Sequence, residues 1–293
     1  MTKVQNPIVI VGTGRCGSTL LHRVLALHST LGWLSTFNEV FPKQTWLSCF
    51  SNLYRTPIPA NIRHLPFFPK PFEAYKFWEQ YLPNFGRRDI PQTPEDVPES
   101  AINPVREVLT KVLRYQGRER LLIKVTGWSR IALFNEIFPD ARFIFLNRDH
   151  RSVVSSWIQA GWLDVTSSID SEDWQWGEVP PPYRKVWQDL GMGPILSAAV
   201  KIQLDLDDIH KNMAQFPDRC YRLEYKDFVS RPGQTLQGIA EFCGLPWLEC
   251  YQHKIASLKF YDTANKWRKY LSASQGALIQ KFFQRAKQTK EIA

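Results

Sequence analysis

The sequence predicts an α/β fold, a mostly parallel sheet with helices packed on both faces. Three observations point there. An apolar, β-branched run at 7–11 enters a glycine-spaced turn, Gly12-Thr13-Gly14-Arg15-Cys16-Gly17, and leaves as a segment with helical spacing from Ser18. Short apolar runs then alternate with helix-period segments as far as residue 243, the pattern of successive βα units. The runs at 121–125 and 141–146 are apolar along nearly their whole length, as strands covered on both faces are.

The elements follow in order. Residues 7–11 read as a buried parallel strand. Leu21, Val24, Leu25 and His28 recur at helical spacing over 18–28, with Ser18 placed to cap. Residues 33–41 are expected to hold a short second strand ending near Glu39. Prolines and aromatics crowd 51–104, which reads as an irregular insertion with one helix near 72–81. Helices are expected at 103–116, 131–137, 152–160, 194–215 and 235–243, the last closed by Gly244. Strands are expected at 121–125, 141–146 and 219–224. A second irregular stretch, rich in Trp and Pro, covers 161–193, and a last helix covers 272–287. No break divides the chain, so 1–293 reads as one domain carrying insertions at about 42–104 and 158–193.

The 293 residues carry 37 Lys and Arg against 28 Asp and Glu, a net charge of +9. That balance suits an anionic ligand. The cations are dispersed and no nucleic-acid-binding signature is present, so nucleic acid is not expected as a partner. Five cysteines without paired spacing argue for reduced thiols. The start lacks a charged n-region followed by an apolar h-region, and no run reaches the roughly 18 apolar residues of a membrane span. A cytoplasmic location is the expectation.

The first loop is the strongest chemical signal. A strand, a glycine-spaced turn and a helix N-terminus aim backbone amides at an anion. Nucleotide-hydrolysing loops end Gly-Lys-Ser/Thr; here Gly17 precedes Ser18-Thr19, and Arg15 is the cation of the loop. The same residues fit G-x-G-x-x-G with Glu39 downstream, so a dinucleotide-binding oxidoreductase stays open as an alternative. Further along, Arg148 leaves the end of a predicted strand and Ser156 lies two turns into the next helix, a pair able to grip one phosphate. Lys124 interrupts an apolar strand, where a cation needs a partner. Lys266-Trp267-Arg268-Lys269 clusters three cations about an indole, able to close over an anionic or planar ligand.

Two separated phosphate grips without a Walker lysine suit a nucleotide with phosphates at both ends of its ribose. At these residues the chain resembles the sulfotransferases that use 3′-phosphoadenosine 5′-phosphosulfate, above all the tyrosylprotein and related bacterial enzymes. The resemblance rests on Gly14 to Leu21, on the block from Lys124 through Phe138-Pro139-Asp140-Ala141 to Arg151, and on Tyr221 to Pro246. It implies a P-loop-like three-layer fold and in-line transfer of a sulfuryl group to an acceptor hydroxyl, less readily to an amine. It implies that Gly14, Arg15, Cys16, Gly17, Ser18 and Thr19 hold the 5′-phosphosulfate. Arg148 and Ser156 would hold the 3′-phosphate, with Trp267, Arg268 and Lys269 as a late flap near it. Arg15 and Lys124 would stabilise the transferring group, and Glu39 would take the acceptor proton. His28, on an apolar helix face, reads as a core histidine. No divalent metal is expected. The acceptor, whether small molecule, glycan or peptide, is not specified by the resemblance; aromatics in the insertions favour an apolar or sugar-like one. The 42–104 insertion equally suits a homodimer interface.

Overall fold

The computed structural model describes residues 4–63, 65–162, 168–261, 263 and 265–292. Its strands are β1 (Ile8–Val11), β2 (Leu31–Trp33), β3 (Arg120–Lys124), β4 (Arg142–Asn147) and β5 (Cys220–Glu224), all parallel, in the order β2-β3-β1-β4-β5. β1 is buried at every position and pairs on both sides: Ile10 lies opposite Lys124 of β3 and Ile144 of β4. The chain moves to one side of β1 for β3 and to the other for β4. The connections leaving these strands therefore diverge and open a crevice at the carboxyl ends of the sheet.

Alternation along the strands sends side chains to two cores. Val9, Val11, Ile123, Phe143 and Phe145 pack under the helices Glu99–Gln116, Ile131–Ile137, His150–Gln159 and Pro194–Met213. Ile8, Ile10, Leu122, Ile144 and Leu146 pack under Ser18–Leu25, Pro232–Cys243 and Glu249–Ala256. This is the expected three-layer α/β arrangement. A satellite cluster of Trp128, Tyr183, Trp187, Leu196 and Phe282 fixes the second insertion to the last helix, Ala273–Ile292.

The departures from expectation are local. The second strand ends at Trp33, and Ser35 caps a short helix, Thr36–Val40. Ser35 and Asn38 form a capping box, the Asn38 side chain accepting from the Ser35 N–H at 2.8 Å. Local side-chain bonding thus overrides the strand-like composition, and Glu39 sits on a helix. The first insertion is more regular than expected. It holds a 3₁₀ segment over Thr45–Arg55, the helix Tyr75–Tyr81, and a helix that starts at Glu99, four residues early, and runs through Pro104. The second contains Pro181–Asp189, whose prolines stand in the first turn, where a missing N–H costs nothing. Glu249–Ala256 was not expected at all. Among the described residues, no helix is long and apolar enough to cross a membrane.

His28 is a core residue: fully buried, with Nε2 2.9 Å from the Pro246 carbonyl and Nδ1 2.9 Å from Thr30 Oγ1. Burial lowers the pKa of His22 and His28, and brings His150 to about 4. A base held below its unfolded pKa binds fewer protons in the native state than in the unfolded one. Stability is then fully present above pH 6.5 and falls as the pH drops toward 4. Thermal denaturation is expected to show the midpoint falling across that window, and a smaller fall in His150→Gln.

Candidate active site

Positive φ at Arg15 (70°) and Gly17 (101°) curls the loop after β1. At Gly17 only hydrogen fits, since a Cβ would lie 2.4 Å from the Tyr225 ring. Gly17 precedes the helix Ser18–Leu25 with no side-chain cap, and the first turn carries no acidic residue. The amides of Ser18 and Thr19 lack partners within the helix by position, and they stand at the positive end of its dipole. From the other side, Trp157 Nε1 donates to the Gly14 carbonyl at 3.1 Å and pins the loop. Cys16 faces the core rather than the crevice; burial pushes its thiol up.

Lys124 ends β3 at the crevice and is only 7% exposed. Burying a cation costs several kcal/mol unless it is paired. Its Nζ donates to Thr19 Oγ1 at 3.0 Å and lies 2.9 Å from a carboxylate oxygen of Glu73. That oxygen also accepts from Thr126 Oγ1 at 2.9 Å. Lys124 therefore ties the end of β3 to the phosphate-type loop and to the first insertion.

Arg148 follows β4. Its Nη1 donates to the Arg15 carbonyl at 3.1 Å and its Nη2 to Thr263 Oγ1 at 3.0 Å, while the guanidinium lies over the Tyr225 ring at 4.4 Å. Burial, helped by Arg15, draws its pKa below the usual range. Arg15 in turn donates from Nε to Ser156 Oγ at 3.0 Å. The expected grips are therefore one continuous surface: Arg148 touches the loop, the loop's Arg15 touches Ser156, and its Thr19 touches Lys124. Two guanidiniums and an ammonium converge on one helix N-terminus, an arrangement built for an anion.

Glu39 is placed differently. Its carboxylate accepts the Lys76 N–H at 3.0 Å, three residues along the chain from Glu73. Trp267 is buried, packed against Gly276 of the last helix and beneath Arg151 at 4.6 Å, whereas Arg268 and Lys269 are exposed. Thr263, just ahead of that cluster, brings the segment to Arg148. The sequence did not reveal Glu73, Thr126, Tyr225 or Thr263. A buried Lys124 demands a partner, but nothing in a proline-rich insertion says which residue supplies it.

Beyond Gly14 the crevice widens into a cleft of about 640 Å³, bordered by Glu73 on the Lys124 side and by Trp157, Trp162 and Trp176. Residues 7–249 match the model of the Sulfotransferase family. The chain belongs to the sulfotransferase family. The solved structures agree at the level of fold. Sulfotransferase STF9 from Mycobacterium avium superposes with a TM-score of 0.57 at 16% identity, covering 97% of this chain and 77% of that one. STF1 from Mycobacterium tuberculosis gives 0.56 at 14%, over 96% and 77%. The sulfotransferase domain of the Synechococcus PCC 7002 olefin synthase gives 0.51 at 18%, over 98% and 96%. An uncharacterized protein of Aquifex aeolicus is 22% identical over 91% of this sulfotransferase-family chain, which spans only about a third (31%) of that relative's length. The match is to a transferase family, and none of these findings favours the oxidoreductase reading.

Proposed function

We propose that the protein is a sulfotransferase moving a sulfuryl group from 3′-phosphoadenosine 5′-phosphosulfate to an acceptor hydroxyl. One observation carries the reading: hydrogen bonds tie Arg148 and Ser156 to Arg15, and Lys124 to Thr19, so side chains from the ends of three strands and the segments that follow them meet on the single loop 15–19 in one cationic crevice. The residues suit the donor. The uncapped helix N-terminus after Gly17 presents backbone amides to an anion, and the cations match a ligand with anions at both ends.

When bound, the donor supplies a sulfuryl group whose bond to the phosphate oxygen breaks as the acceptor oxygen bonds to sulfur, leaving adenosine 3′,5′-bisphosphate. The amides of 14–19, Ser18, Thr19 and Arg15 hold the phosphosulfate end. Arg148 and Ser156 hold the 3′-phosphate, and exposed Arg268 and Lys269 supply further positive charge from the following segment. Lys124 and Arg15 neutralise charge that develops on the transferring oxygens. The leaving group is already a stable anion, so position and charge carry most of the catalysis. Glu73 takes the acceptor proton, since it touches Lys124 and borders the cleft. Glu39 is the second candidate for that role, outside the lining of the cleft and bonded to the Lys76 backbone N–H.

Arg148→Ala is expected to raise the donor KM on the order of 10- to 100-fold, the loss of a charge-assisted hydrogen bond, with kcat changed less. Initial-rate kinetics with varied donor check this; an unchanged KM would remove Arg148 from the 3′-phosphate site.

A further inference from the structure

Tryptophan walls and a buried ion pair meet in the cleft beside Glu73. Trp128, Trp157, Trp162 and Trp176 line it, and Lys201 and Asp205 form its charged floor. Lys201 Nζ lies 2.5 Å from Asp205 Oδ1 and 3.9 Å from the centre of the Trp128 ring. Asp205 is completely buried, yet among the described residues its Oδ2 has no hydrogen-bond partner. A buried carboxylate oxygen left unpaired costs free energy, and this one belongs to a residue that faces the cleft. A ligand hydroxyl that parts the side chains closing over it would supply the missing donor.

The chemistry of the lining narrows that ligand. Arg87, Arg88, Arg130 and Lys201 outnumber Glu73 and Asp205, so an ammonium group is disfavoured. Arg130 is satisfied by the Phe85 and Trp128 carbonyls and Gln92, and Arg87 by Asp89 and Asp96. Arg88 is exposed and stands over the Trp176 ring at 5.4 Å. Trp128 and Trp157 are buried and spend their N–H groups on the Arg88 and Gly14 carbonyls, so the ring surface open to a ligand is that of Trp162 and Trp176. A flat phenol would stack on these rings but leave Asp205 Oδ2 and Arg88 desolvated and unmatched. A sugar has an apolar C–H face for the indoles and hydroxyls for both polar groups.

We infer that the acceptor is a neutral carbohydrate, its ring against the tryptophan wall and a hydroxyl remote from the reacting one donating to Asp205 Oδ2. This rests on the proposed sulfuryl transfer. The test assays the protein at saturating donor against methyl glycosides of hexoses and hexosamines, β-linked disaccharides, 2-naphthol and an aliphatic amine. At least one glycoside or disaccharide is expected to exceed 2-naphthol and the amine in kcat/KM. Lys201→Met/Asp205→Leu, which removes both charges together, is expected to cut that value about a hundredfold, because an unmatched sugar hydroxyl is rejected strongly. Its 2-naphthol turnover should fall much less, and its affinity for adenosine 3′,5′-bisphosphate should stay unchanged. Arg88→Ala, at an exposed side chain, should show the same selective loss and serves where the double variant does not fold. Preference for 2-naphthol or the amine, no turnover of any sugar, or sugar turnover indifferent to these variants would overturn the inference. Wild-type protein that binds the bisphosphate while refusing every sugar sinks this inference only. Failure to bind the bisphosphate sinks the proposed activity, and the acceptor assignment with it.

Discussion

Lys124→Ala is expected to lower kcat on the order of 10²–10³-fold, the usual cost of removing one preorganised group that meets developing charge. Affinity for adenosine 3′,5′-bisphosphate should be nearly intact, because that molecule lacks the sulfuryl group Lys124 is assigned to. The split separates a catalytic cation from a structural one. A purely structural Lys124 would damage folding and ligand affinity together, since it links Thr19 of the loop to Glu73 of the insertion. Thermal denaturation beside steady-state kinetics reads both. Arg15→Ala should differ in kind: Arg15 also bonds Ser156, so donor affinity and kcat should fall together. Wild-type turnover in Lys124→Ala would remove this residue from the chemistry.

Glu73→Gln is expected to slow turnover by about 10²–10⁴-fold, the contribution general-base catalysis typically makes. The substitution is nearly isosteric. A glutamine carbonyl can still accept from Thr126 Oγ1 and Lys124, so the wall should stay in place while its ability to take a proton is lost. Glu39→Gln should have the smaller effect, because Glu39 is held by the Lys76 N–H and, unlike Glu73, does not line the cleft. The reverse ranking, measured as kcat under saturating donor, would assign the proton to Glu39.

Much of the proposed donor side was legible in the sequence because local rules dictate it. A β-branched strand running into glycine-spaced turn and helix has few folded forms, and Arg148 and Ser156 lie on one strand–helix unit whose direction follows from the sheet. Lys124 stood out because a cation in an apolar strand is costly. The proposed acceptor side was less legible. Its residues come from the two insertions and from the helix Pro194–Met213, and only tertiary packing brings Glu73 to Lys124 or sets Asp205 in the wall of the cleft. Glu39 was read onto a strand end because the run Trp33-Leu34 is apolar; the Ser35–Asn38 capping box turned the chain into a helix first. Trp267 shows the opposite error of emphasis. An indole among cations suggests a stacking platform, but a glycine opposite, Gly276, lets it sink into the core instead.

The most direct test is calorimetric titration of adenosine 3′,5′-bisphosphate into the wild-type protein without magnesium, with NAD and ATP as controls and Arg148→Ala alongside. The prediction is one-to-one binding of the bisphosphate in preference to both controls, weakened in the variant, with a stabilisation of about 2.7 kcal/mol when ligand stands at 100 times its Kd. No binding, tighter binding of NAD, or a variant that binds as well as wild type would contradict a single cationic crevice built from Arg15, Lys124 and Arg148.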